Sequence, residues 1–123
     1  MVRISGFDTH NAQVQGVGEA LGKHHSLLTD LSESMEAFIN DLDSQNLADD
    51  VVGLTFSEFG RKAAENGNLG TDHGEIAPMF VFGKPVLGGV SGTNPDLTEA
   101  TSSNNYQIPT GQYDYRQKFA TFR

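Results

Sequence analysis

Residues 51–83 read VVGLTFSEFGRKAAENGNLGTDHGEIAPMFVFG, and the reading of this stretch decides the fold. VVGLTF is a dense apolar run, flanked by ADD and SEFG. Its length and β-branching predict a central strand, buried on both faces. Pro78 opens a second apolar run, PMFVFG, predicted as a further strand. Between the two, FGRKAAE has the composition of a short helix and NGNLGTDHG that of a loop. Residues 59–77 hold no full crossover helix. The chain is therefore expected to return on the same side, with the later strand antiparallel.

Working outward, VRISGF (residues 2–7) is short, partly β-branched and stopped by DTH, and is predicted as a strand. Residues 11–17 have loop composition. From about Gly18 the period changes. Leu21, Leu28, Leu31, Met35, Phe38 and Leu42 recur at helical spacings, with Ile39 beside them. That is one apolar stripe on a long helix ending near Gln45, with Asn46 as a left-handed C-cap. The other face carries Asp30, Glu33, Glu36, Asn40, Asp41 and Asp43 and is read as solvated surface. Strand, helix and strand compose a βαβ unit with parallel strands and a right-handed crossover. A reversed third strand makes the sheet mixed and the fold class α/β.

Residues 83–111 are rich in Gly, Ser, Thr and Asn and read as loops, with a small hairpin at KPVLGGV. Residues 92–111 are expected to be a flexible loop, TEATSSNN above all. Asp114 with Gln117 forms an acid version of the capping box before a closing helix, YRQKFATFR. The whole chain, 1–123, is read as a single domain.

Composition narrows the function. Acids outnumber bases 16 to 8, for a net charge of -8. The bases are scattered, so no basic stripe exists for a nucleic-acid partner. There is no cysteine, hence no disulfide and no thiolate chemistry. No apolar segment approaches the ~20 residues that span a bilayer. The N-terminus has no apolar run of signal-peptide type. The sequence selects no compartment.

Three polar clusters each touch a predicted strand end: Asp8 with His10, Ser57 with Glu58, and Asp72 with His73. Sites in open α/β sheets form beyond the carboxyl ends of the strands. With the third strand reversed, Asp8, His10, Glu58, Asp72 and His73 are expected to converge. Carboxylates and neutral imidazoles are ligands for zinc, manganese and iron, so the set points to one divalent metal ion. Plainer alternatives stand beside this. Asp8, Asp72 and the flanking glycines also suit turns, His10 suits a half-exposed loop, and Glu58 suits a helix N-terminus. His24 or His25 is expected to pack by its ring at the edge of the stripe. Arg61 is expected to hold an anion or pair with an acid, and the sequence does not rank the two.

GFDTH, the long helix, LADDVVGLTFSEFGRKAAENGNLGTDHGEIAPMFVFG and later DYRQKFAT together resemble the bacterial domain-of-unknown-function family 1501. That family is placed in the alkaline-phosphatase and sulfatase superfamily. The resemblance implies a three-layer sandwich, of which this chain is the C-terminal half. It implies a metal-dependent parent enzyme that hydrolyses small anionic phosphate or sulfate esters. Asp8 and His10 match the superfamily's first Asp-and-His pair, here more closely spaced. Ser57-Glu58-Phe59-Gly60 matches its Ser-Asp-His-Gly, and His73 its last histidine. Glu58 replaces an aspartate and Phe59 a histidine ligand, which weakens or removes one metal position. The superfamily's nucleophile lies in an N-terminal half with no counterpart here. No catalytic residue is therefore assigned, and the chain alone is expected to be inactive. Longer relatives begin with an export signal, which implies a periplasmic or exported location for them. A cut sheet leaves unpaired edges, so self-association as a dimer is expected, with the helical stripe as one surface. A non-catalytic binding or assembly module is the rival reading.

Overall fold

The computed structural model describes residues 1–114 and 116. The closing helix expected over residues 115–123 lies outside the described residues. The elements are α1 (Lys23–Ser44), β1 (Gly53–Leu54), β2 (Gly60–Glu65), β3 (Thr71–Gly74) and β4 (Val81–Phe82). Short 3-10 turns lie at Ala48–Asp50, Leu97–Glu99 and Ser102–Asn104.

Helix α1 is the element its apolar period predicts, though it starts later, after Gly22. Its end is a Schellman motif. The Leu47 amide donates to Leu42 O at 2.9 Å, and the Asn46 amide to Asp43 O at 3.0 Å. Asn46 takes φ +57, the left-handed position expected of it. The stripe is only partly covered: Leu42 is buried, while Leu21, Leu28 and Phe38 are exposed.

The two apolar runs do pair antiparallel. Gly53 faces Phe82 and Leu54 faces Val81. The Thr55 amide extends the pairing to Phe80 O at 2.9 Å, and the Thr55 hydroxyl accepts from the Phe80 amide at 2.9 Å. Behind β4, Lys84 reaches Asp49 at 3.0 Å and Asp43 at 3.5 Å, fixing this ladder to the end of α1.

Elsewhere the expectations need correction. Residues 2–7 form no strand. Gly6 turns the backbone with φ +102, and the Phe7 carbonyl accepts from Arg61 and from the Thr9 amide rather than from a strand. The end of the segment instead meets α1, with Phe7 edge-on to the His24 ring at 6.0 Å. Without that strand there is no parallel pair and no βαβ unit among the described residues. The single mixed sheet is replaced by two separate two-stranded antiparallel sheets, β1–β4 and β2–β3. The protein thus has α/β content, and the described residues show no three-layer sandwich.

The stretch read as a short helix, FGRKAAE, holds strand β2. Lys, Ala and Glu favour helix only weakly, and pairing with β3 overrides that preference. Part of the expected loop is β3 itself. Gly60 faces Gly74, Arg61 faces His73 and Glu65 faces Thr71, with a register shift between Arg61 and Glu65. The hairpin turn is NGNLG. Asn66 Oδ1 accepts from the Asn68 amide at 3.0 Å, Glu65 from the Leu69 amide at 2.7 Å, and Gly67 takes φ +87.

The KPVLGGV segment makes one turn, Val86 amide to Gly83 O at 3.1 Å, instead of a hairpin. The serine-rich stretch carries two capped 3-10 turns, at Asp96 and at Thr101 with Asn104. It then docks on the β2–β3 hairpin. The Ala63 amide donates to Tyr106 O at 3.1 Å, and Gln107 Nε2 to His73 O at 3.1 Å. Among the described residues the buried apolar set is small: Leu42, Ala48 and Ile108. Leu87 and Val90 remain 96 % and 92 % exposed.

Candidate metal centre

The site begins as a docking of remote backbone. Residues 9–14 run beside the hairpin turn. The Ala12 amide donates to Asn68 O at 3.1 Å, the Val14 amide to Leu69 O at 3.2 Å, and the Thr71 amide to Thr9 O at 3.4 Å. Gly70 permits this approach, because a Cβ there would overlap the backbone of His10. Thr9, only 1 % exposed, shares Gln13 Oε1 with Thr71, at 3.1 and 2.8 Å. Within the docked loop, the Thr9 amide donates to Phe7 O at 2.9 Å. That three-residue turn puts Asp8 at its tip.

Three side chains meet there. His73 Nε2 lies 2.8 Å from Asp8 Oδ1, and His10 Nε2 lies 3.0 Å from the same oxygen. The two Nε2 atoms are 3.2 Å apart. One oxygen and two ring nitrogens thus form a tight triangle, open to solvent.

The surroundings hold it. Arg61 donates from Nη1 to Thr71 O and from Nη2 to Phe7 O, both at 2.6 Å, and from Nη2 to Asp8 Oδ1 at 3.1 Å. The arginine therefore pairs with an acid and pins the Asp8 turn to the hairpin. Phe59 stacks on the His73 ring at 3.9 Å and 9°. Ser57 sets up that stack by donating its hydroxyl to Phe59 O at 2.7 Å. Asp72 contacts His10 Nδ1 at 3.2 Å, Asn66 Nδ2 at 3.2 Å and Lys62 Nζ at 3.5 Å. Asn66 Nδ2 also donates to His10 O at 2.8 Å.

Of the five residues singled out from sequence, Asp8, His10 and His73 form the cluster, and Asp72 touches it through His10. Glu58 is exposed and is not among the three whose donor atoms lie within 4.8 Å of one another. Asn66 and Gln107 had no sequence signal of their own, since each acts through a contact that only the fold creates. Phe59, noted only as the replacement of a histidine ligand, stacks on His73. His24 packs by its ring on Phe7, and its Nδ1 has no partner among the described residues. Burial, and secondarily Arg61, lowers its pKa.

The Asp8 carboxyl is held below the usual aspartate range, first by the hydrogen bond from His73 and then by Arg61. Asp72 is held low first by Asn66, then by His10 and Lys62. A carboxyl whose folded pKa is depressed stabilises the fold above its unfolded pKa. That contribution disappears as pH falls through the folded value. Thermal stability in chelator is therefore expected to fall as pH drops below about 4. Asp8→Asn and Asp72→Asn should each flatten that acid limb, and an unchanged limb in both would contradict the assignment.

No helix among the described residues is long and apolar enough to cross a membrane. Residues 1–110 match the family model described as "Protein of unknown function (DUF1501)". No curated protein and no solved structure matches the chain.

Proposed function

The chain belongs to the DUF1501 family, and from that premise we propose that it is a divalent-metal-binding domain with Asp8, His10 and His73 as ligands. The triangle of donor atoms carries the reading. Two donors at right angles, each about 2.1 Å from one ion, stand about 3.0 Å apart, whereas tetrahedral donors stand about 3.4 Å apart. The edges here are 2.8, 3.0 and 3.2 Å. Two imidazoles and one carboxylate on one face suit a six-coordinate manganese or iron better than a closed zinc site. Without an ion a ring proton bridges these atoms, as in the 2.8 Å hydrogen bond from His73 to Asp8, and a cation would take the place of that proton.

Kinship with metal-dependent hydrolases of phosphate and sulfate esters is part of this proposal. A divalent cation in such a site supplies Lewis acidity toward an ester oxygen. With a net charge of -8, the chain itself repels a small anionic ester, so the cation also serves attraction. The hydroxyls of Thr9 and Thr71 beside the cluster both donate to Gln13 Oε1, and the nucleophile-bearing half that the resemblance implies has no counterpart here. The domain is thus proposed to bind metal without turning over ester alone. A purely non-catalytic module remains the second reading, favoured by Phe59 where a further histidine ligand was expected. Self-association as a dimer would cover the exposed Leu28, Phe38, Leu87 and Val90.

Calorimetric titration with Mn²⁺ tests the proposal, with one equivalent bound and protons released. At a hundredfold excess over Kd, Mn²⁺ should stabilise the fold by about 2.7 kcal/mol, reversed by chelator. Absent binding and an unmoved melting curve would refute it.

A further inference from the structure

Resting on the metal-binding reading, we infer that Asp72 is a positioning residue and not a fourth ligand: it fixes the tautomer and aim of His10. The His10 ring lies between two groups of acceptors. Its Nδ1 edge faces Asp72 at 3.2 Å, and its Nε2 edge faces Asp8 and His73 at 3.0 and 3.2 Å. Asp72 and Asp8 can both only accept, but Asp8 already takes the His73 Nε2 proton at 2.8 Å. A second N–H on His10 Nε2, 3.2 Å from that nitrogen, would set donor against donor, so the proton of a neutral His10 sits on Nδ1 facing Asp72. The Nε2 lone pair then points at the Asp8–His73 side. That is the tautomer a ligand at Nε2 requires, and an outer carboxylate raises its basicity.

Asp72 is itself immobilised. Oδ1 accepts from Asn66 as well as His10, and Oδ2 meets Lys62 at 3.5 Å. Both oxygens are thus engaged by donors. The same Asn66 amide holds the His10 carbonyl at 2.8 Å, so one side chain locks the backbone and the orienting acid together. His10 is also fixed through its backbone neighbours, which are docked on the hairpin turn. The neighbouring strand residues Asp72 and His73 therefore divide the work: His73 shares the triangle and Asp72 stands behind it.

The test compares wild type, Asp72→Asn and Asp72→Ala. Histidine ¹⁵N spectra of the metal-free proteins, at about pH 8 where imidazoles are neutral, report the His10 tautomer. Wild type and Asp72→Asn are expected to show Nδ1–H, because asparagine keeps an acceptor oxygen; Asp72→Ala should shift toward Nε2–H. Titration with Mn²⁺ alone should show about a 10- to 100-fold weaker Kd for Asp72→Ala and only a few-fold change for Asp72→Asn. An Asp72→Ala protein with wild-type tautomer and affinity overturns the inference. So does an Asp72→Asn protein that keeps the Nδ1–H tautomer yet loses Mn²⁺ by far more than the roughly 100-fold of an outer partner, since that loss would mark a direct ligand. Wild type that binds no Mn²⁺ sinks the metal reading instead, and the tautomer spectra still decide the role of Asp72.

Discussion

Replacing His73 with alanine is expected to abolish stoichiometric metal binding while leaving the fold in place. His73 supplies one of only three donor atoms in the triangle, and its nitrogen stands 2.8 Å from Asp8 Oδ1. Losing it leaves one imidazole and one carboxylate, too few to hold a divalent ion against water. The loss of affinity should exceed the roughly 10–100-fold typical of an outer partner. The fold should survive, because the side chain is 47 % exposed and its main packing is the face of Phe59. His25→Ala is the matched control: His25 is exposed on α1 and outside the cluster. Titration with Mn²⁺, monitored beside far-ultraviolet circular dichroism, separates the outcomes. A His73→Ala protein that binds like wild type would show that the triangle holds no ion.

The largest effect on stability is expected at Gly60. This buried glycine faces Gly74 across the β2–β3 hairpin. A Cβ on Gly60 would overlap the carbonyl oxygen of Ile76, which is backbone and cannot swing aside. A Cβ on Gly74 would overlap the backbone of Arg61 in the same way. Gly60→Ala must therefore push the chain after β3 away, at a cost of about 3 kcal/mol or more. Because Phe59 and Arg61 flank Gly60, the shift should also loosen the stack on His73 and the clamp on Asp8. Gly67→Ala is the contrast. Gly67 has open space around it and only a left-handed φ of +87, so its cost should be about 1–2 kcal/mol. Urea unfolding of the three proteins measures this. Equal midpoints for Gly60→Ala and wild type would contradict the hairpin register.

What could be read in the sequence was what is periodic or local. The stripe from Leu28 to Leu42 is a 3.6-residue repeat, and Asn46 is a residue that tolerates the left-handed position a helix end needs. The antiparallel return of residues 78–83 followed from the short connection before it. What was not legible depends on partners far away. Residues 60–65 alternate too weakly to announce a strand, and β3 supplies the pairing that makes them one. Residues 2–7 are strand-like in composition, yet Gly6 and the demand of Arg61 for the Phe7 carbonyl divert them. The polar convergence was anticipated for Asp8, His10, Glu58, Asp72 and His73, and Asp8, His10 and His73 do meet, but by another route. A common rim of a mixed sheet with its third strand reversed was expected, whereas a loop docked on a hairpin brings them together. Gly70 and Asn66 make that docking possible, and neither is distinguishable from ordinary turn residues by sequence.

The central claim is that Asp8, His10 and His73 hold one cation on the docked loop and hairpin. Anomalous diffraction from crystals grown with Mn²⁺ tests it most directly. The account predicts one anomalous peak in contact with Asp8 Oδ1, His10 Nε2 and His73 Nε2 and no contact to Asp72 or Glu58. An empty triangle at saturating Mn²⁺, or a peak elsewhere on the protein, would contradict it.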